Sequence, residues 1–420
     1  CCPLTMTYAS VPVLRQVPAL ARDWLPRVIS TVYDARSIPA WHKRGNTIGM
    51  GMTEKQGGSD VRANTTRAMA LEGGGAGTLY ELIGHKWFFS APMCDAFLVL
   101  AQTESGLSCF LVPRFLPGAV DDHSRNAIRI QRLKDKLGDW SNASSEVEFQ
   151  DAVGWLIGDE GRGVTTILEM VALTRQDCMI GSAAIMRQAL VQAIHHARHR
   201  SAFGKLLSEQ PLMQNVLADL ALDSEAAMAL SLRVARAVDA SARDPAEAAF
   251  SRIATAIGKY WICKRCAPFV NEAQECLGGA GYVEESILPR LYRQAPLNSI
   301  WEGSGNIQCL DVLRSLQKHP QPREALFEEL RQAHGANALF DAHVARLAME
   351  LDEAAQSEAR SRVLVEAMAL GLQASVLLRA EPSVGDAFCS ARLADRTSRC
   401  YGTLDSSAPF NELIGRAFLS

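Results

Sequence analysis

The sequence predicts an α+β fold: a central antiparallel β-barrel, then a helical bundle and a C-terminal helical extension. Between residues 48 and 149, apolar side chains alternate in short runs separated by loops rich in Gly, Asp and Pro, which is typical of short antiparallel strands. From residue 163 to 316, apolar side chains recur at helical spacing, as in a bundle of long helices. Pro320 and Pro322 then precede a segment rich in Ala, Leu and Arg, which we expect to form a separate, smaller helical domain.

The first 44 residues are predicted to be the remnant of a helical domain plus a linker. Prolines interrupt short apolar patterns of helical spacing there. The chain begins with two cysteines and no methionine, so we expect a fragment that starts inside a larger N-terminal helical domain. The predicted domains are therefore residues 1–44, 45–158 for the β-barrel, 159–318 for the bundle and 319–420 for the C-terminal helices.

The alternating region predicts eight short strands, and the helical region predicts three long helices and a fourth. The strands are expected at 48–53, 68–70, 80–82, 87–89, 96–102, 107–112, 128–132 and 145–149. The helices are expected at about residues 164–200, 211–240 and 246–277, with the last one starting after Asn306.

Composition excludes several classes of protein. The 420 residues are 48% hydrophobic and 21% charged, with a net charge of -3, so the chain as a whole has no attraction for nucleic acid or anionic membrane. Eleven cysteines lie without a regular framework, which favours a reducing, cytoplasmic location over a disulfide scaffold. Apolar runs fall short of the roughly 18 residues needed to span a bilayer, so we expect no membrane insertion.

One carboxylate stands out in the segment NSIWEGSGNIQ, residues 298–308. Glu302 follows Trp301 and precedes small residues, and leucines at helical spacing follow from Leu310. Glu302 therefore lies at or just before a helix N-terminus, against an aromatic wall, where a carboxylate can act as a general base. The segment alone leaves open the alternative of an acidic residue that opens a surface helix.

A second polar segment, MGMTEKQGGSD at residues 50–60, follows the first strand. Adjacent glycines and the hydroxyls of Thr53 and Ser59 suit a flat ligand with a phosphate tail, because bare backbone allows close approach. An ordinary β-turn is the alternative. The segment lacks the Gly-Lys-Ser/Thr of a phosphate-binding P-loop, and no G-x-G-x-x-G opens a helix anywhere in the sequence.

The segment GHKWFFS, residues 84–90, has three consecutive aromatic side chains on one strand. Since side chains alternate along a strand, at least one must face away from the core. A ligand ring or another domain could cover it.

Two other patterns are not interpreted as metal sites. His195, His196 and His199 have helical spacing but are interleaved with arginines, which favours a solvated basic face. Cys263 and Cys266 lie inside a predicted helix with no second pair of cysteines, so two unconnected thiols are expected.

Five motifs resemble the acyl-CoA dehydrogenase superfamily in order and spacing. They are MTEKQGGSD at 52–60, GHKWFFS at 84–90, RSAFGK at 200–205, LGGAGY at 277–282 and WEG at 301–303, and the match covers about residues 1 to 318. Within the superfamily, the amino-acid sequence around these motifs is most similar to a bacterial adaptive-response branch, which also has a C-terminal helical extension.

The resemblance implies an FAD held non-covalently between the β domain and the bundle, in a homotetramer whose neighbouring subunit completes the site. Thr53 and Ser59 would donate hydrogen bonds to the flavin, and Glu302 occupies the position of the catalytic base. The residues implied to bind FAD are Met50, Gly51, Met52, Thr53, Glu54, Lys55, Gln56, Gly57, Gly58, Ser59, Phe88, Phe89, Ser90, Arg200, Phe203, Ile300, Trp301, Gly303, Ser304, Gly305, Asn306, Ile307, Gln308, Cys309 and Leu310.

The implied chemistry is α,β-dehydrogenation of a short or branched acyl-CoA thioester. Glu302 would remove the α-proton while the β-hydride passes to the flavin, and an electron acceptor of unknown identity would reoxidise it. Trp301 stands where many relatives have a smaller tyrosine, and Gly305-Asn306 replaces Ser-Gln. A reshaped acyl pocket and weak activity are therefore expected.

The resemblance also implies a role in the DNA alkylation response, with duplex DNA bound by the C-terminal segment and only vestigial dehydrogenase activity. From residue 319 on, however, the chain has 10 Lys/Arg and 14 Asp/Glu residues, which is unfavourable for general phosphate contact. Binding would need a local cluster. The candidates are Arg392, Arg396 and Arg399 on one helix face, with Arg314 and Lys318 at the end of the bundle.

Overall fold

The computed structural model describes residues 2–120, 124–354, 358–394, 401, 404–405 and 407–417. The chain forms two compact units, Cys1–Thr174 and Arg175–Ser420. Each has its own core of buried apolar side chains. The finer division into four domains stays a prediction.

The first unit begins with short helices and continues as a sheet. Its helices are α1 (Cys2–Ala9), α2 (Val11–Arg15) and α3 (Pro18–Val28). Its strands are β1 (Ile48–Gly51), β2 (Arg67–Ala70), β3 (Leu79–Ser90), β4 (Ala96–Thr103), β5 (Gly106–Pro113), β6 (Ile128–Leu133) and β7 (Ser144–Ile157).

The sheet is mixed, so the prediction of a purely antiparallel barrel is wrong in that respect. The strand order is β1-β4-β2-β3-β7-β5, with β6 on β7 and a further β4–β5 pairing. β1 and β2 both run parallel to β4. β2 meets β4 only at Arg67 and Gln102, and a closed barrel is therefore not confirmed.

Strand β3 joins two segments that the alternating pattern separates, 80–82 and 87–89. Its register against β7 shifts between Leu82 and Ile83 and again between Lys86 and Phe89, and such bulges interrupt the alternation of side chains. Gly84 lies between the two shifts with φ +152°, and a Cβ there would be 2.6 Å from the Cα of Thr66. No larger side chain fits, so this position requires glycine.

The second unit is almost entirely helical. Helix α4 (Gly163–His199) begins in the first unit, and a hairpin of β8 (Ser201–Ala202) and β9 (Lys205–Leu206) follows it. The remaining helices are α5 (Pro211–Ala240), α6 (Pro245–Glu275), α7 (Gly279–Tyr282), α8 (Leu288–Gln294), α9 (Gly305–Lys318), α10 (Gln321–Arg331), α11 (Ala338–Ala354), α12 (Ser361–Ala380), α13 (Pro382–Arg392) and α14 (Phe410–Ala417).

The C-terminal helices share one core with the bundle. Leu364, Met368 and Leu372 of α12 are completely buried in the same cluster as Leu217 and Leu230 of α5. The segment Glu358–Ala380 is long and apolar enough to cross a membrane by length and composition, but 61% of its most apolar window is buried inside the unit. Core helices pass the same test, so this is weak evidence for a span.

A buried ionic network also joins the C-terminal part to α5 and α6. The Arg392 guanidinium donates to the Asp219 carboxylate, and Arg265 and the Tyr401 hydroxyl donate to Asp223 at 3.0 and 2.7 Å. Burial would raise the pKa of Asp223, but the charges of Arg265 and Arg392 hold it below its usual value. The contribution of Asp223 to stability is therefore present while its carboxylate is ionised and is lost as the pH falls through its lowered pKa.

Arg392 is consequently a poor member of the suggested DNA-binding face. Its side chain is 15% exposed and paired with carboxylates, and α13 ends at this residue. Arg396 and Arg399 lie outside the described residues.

The buried imidazole of His343 on α11 leads us to expect that acid destabilises the second unit. Burial lowers the pKa of His343 more than the hydrogen bond between its Nε2 and the Ala367 carbonyl oxygen, at 2.8 Å, raises it. Arg346 also lowers this pKa, while Glu350 raises it. The unfolded chain binds the proton more tightly, so the stability from neutral His343 is complete above about pH 6.5 and is lost as the pH falls below it.

The expected result is a smaller free energy of unfolding at pH 5.5 than at pH 7.5 in urea titrations. His343→Gln keeps an amide donor for Ala367 and should reduce this difference. An unchanged difference in the variant would assign the acid sensitivity to other groups.

Candidate active site

The polar turn after β1 is built around Glu54, whose side chain is completely buried. Its carboxylate accepts hydrogen bonds from the Lys86 ammonium at 2.9 Å, the Thr65 amide at 2.7 Å and hydroxyl at 2.9 Å, and the Thr66 amide at 3.1 Å. Lys86 also donates to the Leu100 carbonyl oxygen at 2.7 Å. Burial alone would raise the pKa of Glu54, but the Lys86 charge and these hydrogen bonds hold it far below its usual value.

This anchor leaves the rest of the turn, residues 55–60, exposed. Gly57 has φ +125° and open space around its Cβ position. A Cβ on Gly58 would lie 2.4 Å from the Thr53 hydroxyl oxygen, so a larger residue there would require the Thr53 side chain to move. The Trp87 amide donates to the Thr53 carbonyl oxygen at 2.8 Å, which holds the turn against β3.

The three aromatic side chains of β3 have three different surroundings. Phe89 is completely buried, with its ring centroid 4.3 Å from that of Phe97, so its side chain belongs to the core and only its backbone could contact a ligand. Phe88 is 49% exposed. Trp87 is half-buried, and the Lys134 ammonium lies 3.5 Å from its ring centroid. Phe88 is therefore the ring of this strand that a ligand could cover.

In the second unit, Glu302 lies just before α9 and has a strained backbone conformation. Its φ is +57°, a left-handed value that costs a residue other than glycine about 1–3 kcal/mol. Gly303 follows with φ +90°. Strain of this kind persists only where surrounding contacts impose it, and it concentrates at functional sites.

The contacts that impose it are three donors from other helices. The ammonium of Lys259 on α6 donates to the carbonyl oxygens of Trp301 and Gly303 at 2.7 and 2.5 Å. The Arg175 guanidinium donates to the Glu302 carbonyl oxygen at 3.0 Å, and the Gln308 amide donates to the same oxygen at 3.1 Å. At about 1.5–3 kcal/mol for each hydrogen bond to a charged group, these contacts can offset the strain.

Arg175 and Lys259 are themselves held in place. Arg175 donates to Asp311 on α9 at 2.6 Å, and Asp311 also accepts from Arg252 at 2.7 Å. Lys259 is 1% exposed, and burial lowers its pKa, while the Glu302 charge raises it.

The Trp301 ring beside Glu302 is also fixed. Its indole N–H donates to the Asn298 side-chain oxygen at 2.9 Å, and the Asn298 amide donates to the Ser182 hydroxyl at 3.1 Å. These hydrogen bonds fix the orientation of the half-buried ring.

The other residues of the two predicted segments divide between surface and core. Thr53, Ser90, Trp301, Gly303 and Ser304 are half-buried, whereas Gln308 and Cys309 are fully buried in the second unit. Arg200 and Phe203 are exposed; Phe203 is at the tip of the β8–β9 hairpin with φ +53° and is fully accessible.

The donor set fits a flat, phosphate-bearing cofactor such as FAD. The first unit offers the bare backbone of Gly57 and Gly58, with the hydroxyls of Thr53 and Ser59 on the same turn. Close approach of a planar ring and hydrogen bonds to a pyrophosphate need these features. The residues present therefore suit the cofactor that the resemblance implies.

The histidines and cysteines singled out from sequence do not form a ligand cluster. In the ranges that the structure describes, no group of three or more His, Cys, Asp or Glu side chains could hold a metal ion. Cys263 lies 3.4 Å from the Cys178 carbonyl oxygen and Cys266 lies 3.7 Å from that of Ser182. Burial raises the pKa of both thiols, so they stay protonated and unreactive.

Sequence reasoning did not identify Lys259 or Arg175, and it gave Asn298 no role of its own within the segment 298–308. A signal existed for Lys259, because it is the single charged residue in the apolar run IATAIGKYWIC, residues 253–263. A lysine in a buried helical stretch needs polar partners. Nothing in the sequence indicated that these partners are the carbonyl groups flanking Glu302.

Comparison with known proteins connects both units to one family. Residues 49–152 match the middle domain of acyl-CoA dehydrogenases, residues 161–317 their C-terminal domain, and residues 1–35 the N-terminal domain of the adaptive response protein AidB. Escherichia coli AidB is 53% identical over 94% of this chain and 71% of its own length.

Two solved structures have a similar fold. Caenorhabditis elegans ACDH-11 in complex with C11-CoA has a TM-score of 0.83 at 28% identity, covering 92% of this chain and 71% of that one. An acyl-CoA dehydrogenase from Bacillus anthracis complexed with FAD has a TM-score of 0.70 at 19% identity, covering 90% and 70%. At that identity the second structure supports the fold alone.

Fold and family matches together define the class of protein as an FAD-dependent oxidoreductase. More particularly, the chain belongs to the acyl-CoA dehydrogenase family, as an AidB-like member. The sequence-based assignments of family, FAD and acyl-CoA dehydrogenase class are confirmed.

Proposed function

We propose that the protein catalyses α,β-dehydrogenation of a short or branched acyl-CoA at a low rate, with Glu302 as the base. The observation that carries the proposal is the strained backbone of Glu302 at φ +57°, held by the hydrogen bonds of Arg175, Gln308 and Lys259. A surface acid that merely opens a helix needs no such framework. Strain maintained at a carboxylate supports a catalytic role.

In this mechanism the chain's own residues bind, orient and deprotonate the thioester. The Glu302 carboxylate takes the proton from the α-carbon, and the electron pair left there forms the new double bond as the β-hydride departs. FAD, when bound, accepts that hydride. The Trp301 ring, held by Asn298 and next to Glu302 in the chain, would restrict the space for the acyl chain, which supports a small substrate and slow turnover.

Acyl-chain preference tests the substrate class. Anaerobic bleaching of the flavin by a panel of acyl-CoAs, from butyryl to lauroyl and including isovaleryl, should be fastest for short or branched chains. C. elegans ACDH-11 was solved with C11-CoA. Fastest bleaching by a C11 or longer chain here would overturn the proposed preference.

Flavin binding should depend on the hydroxyl of Thr53. Thr53→Val keeps the shape and removes the donor, so the Kd for FAD should rise about tenfold, which equals about 1.4 kcal/mol. Flavin fluorescence titration of the apoprotein measures it. Thr78→Val is the matched control, because this hydroxyl donates within another turn of the same unit, to Gly75 at 2.7 Å.

Equal Kd values for both variants and the parent would remove Thr53 from the cofactor site. A purified protein without a flavin absorption band that also fails to take up added FAD would contradict the cofactor assignment for this chain.

We further propose a cytoplasmic homotetramer in which Arg200 and Phe203 contact the FAD of a neighbouring subunit. The exposed hairpin tip with Phe203 fully accessible supports an intermolecular contact. Sedimentation with detection of flavin absorption, on the parent and on Phe203→Ala, would test it. The expected result is that Phe203→Ala remains a tetramer but loses FAD.

A role in the DNA alkylation response is the alternative function. It is supported by the AidB resemblance. Arg392 is a poor candidate for contacting DNA, because it is paired with Asp219. Arg314 and Lys318 on α9 are exposed and remain candidates. Salt-dependent binding of duplex DNA, measured beside acyl-CoA turnover on the full-length protein, would separate the two functions.

A further inference from the structure

Buried and half-buried donors surround the turn that carries Glu302. Lys259 is 1% exposed and points its ammonium at the carbonyl oxygens of Trp301 and Gly303, at 2.7 and 2.5 Å. A buried ammonium needs partners, and here two of them are backbone groups on either side of the proposed base.

These hydrogen bonds fix the peptide planes that orient Glu302. The Trp301 carbonyl belongs to the plane before the Glu302 Cα and the Glu302 carbonyl to the plane after it. Lys259 holds the first, while Arg175 and Gln308 hold the second at 3.0 and 3.1 Å. The rotations φ and ψ at Glu302 set the angle between these two planes, so donors that hold both planes restrain the left-handed backbone, whose φ is +57°.

Each donor contributes differently. Arg175 and Gln308 also have other partners, because Arg175 pairs with Asp311 and Gln308 donates to the Gly303 carbonyl oxygen. Lys259 holds the carbonyl that precedes Glu302 and shares the Gly303 carbonyl with Gln308. Removing its charge therefore frees the peptide plane before the strained residue and weakens the contact after it.

We propose that Lys259 is a positioning residue of the reaction: its ammonium holds the Trp301 and Gly303 carbonyls and so keeps the Glu302 carboxylate in its proton-abstracting orientation. The catalytic part of this inference rests on the proposed function; the backbone part does not. Lys259 touches neither substrate nor cofactor in this role.

The backbone part is tested by amide hydrogen exchange followed by mass spectrometry on the FAD-loaded protein. In Lys259→Met, exchange in the peptide covering residues 298–308 should be at least tenfold faster than in the parent, with the rest of α6 unchanged. Lys259→Gln retains a shorter amide donor and should give a smaller increase, and it provides a second folded variant. Lys318→Met changes an exposed lysine at the end of α9, outside residues 298–308, and is the control.

The catalytic part is tested by exchange of the substrate α-proton with D₂O. A 3-thiaacyl-CoA can lose its α-proton but has no β-carbon hydride to transfer, so the exchange rate reports the base alone. Lys259→Met should reduce this rate about 100-fold, the effect expected from a misplaced catalytic group. The Kd for the ligand and the FAD content should stay near the parent values, which a merely structural role would not produce.

The outcomes are distinguishable. Parent-like amide exchange at residues 298–308 in both Lys259 variants would overturn the proposal, whatever the activity. Faster amide exchange with an unchanged α-proton rate would also overturn it, because the position of the carboxylate would then not depend on Lys259. A parent protein that exchanges no α-proton would contradict the proposed function, while the amide data would still decide whether Lys259 holds the turn.

Discussion

Glu302→Gln is expected to lower the rate of flavin reduction by acyl-CoA by about 10²–10⁴-fold, the usual contribution of a general base. Glutamine keeps the length of the side chain, and the carbonyl contacts to Arg175 and Lys259 involve only backbone oxygens of the turn. FAD should therefore remain bound. Anaerobic stopped-flow spectroscopy measures the rate, and the flavin absorption band measures cofactor content.

Two variants sharpen this test. Glu302→Asp keeps a carboxylate, and aspartate tolerates the left-handed backbone better than most residues, so partial activity is expected at a longer distance from the substrate. Glu285→Gln alters an exposed carboxylate of the same unit and should leave the rate unchanged. Equal reduction rates in Glu302→Gln and the parent would show that another group removes the proton.

Lys86→Met is expected to destabilise the first unit by about 3–5 kcal/mol, because it leaves the Glu54 carboxylate buried without its cation. Both side chains of the pair are completely buried. The Leu100 carbonyl oxygen would also lose its donor. Since Glu54 anchors the turn of residues 53–59, FAD affinity should fall together with stability.

Urea unfolding followed by the signals of the sheet measures the loss. Lys55→Met is the control for stability, since this exposed lysine precedes Gln56 on the same turn and surface substitutions usually change stability by less than about 0.5 kcal/mol. A double change, Lys86→Met with Glu54→Leu, removes both charges and should recover part of the loss. A single Lys86→Met variant as stable as the parent would mean that the pair contributes little.

The local periodicity of the sequence determined the secondary structure of the site. Helices were expected at 211–240 and 246–277 and are found at Pro211–Ala240 and Pro245–Glu275, because a long apolar stripe at helical spacing depends only on neighbouring residues. For the same reason, the helical spacing of the leucines after residue 306 correctly predicted that Glu302 lies just before α9. The glycine-rich turn at residues 57–58 was likewise predicted, since its requirement for bare backbone is local.

Only the tertiary structure decided how these pieces are held. The parallel pairing of β1 with β4 joins segments that are not adjacent in the sequence, and a bulge in β3, absent from any alternating pattern, turned Phe88 outward and Phe89 into the core. Arg392 looked available for phosphate contact from its spacing, yet it pairs with Asp219 across 173 positions. The donors that impose the Glu302 backbone lie 127 positions away at Arg175, while Lys259 lies 42 positions from Trp301. Periodicity shows which face of a helix is buried, but the partner of a buried charge depends on which helices pack together, and that is settled only when the chain folds.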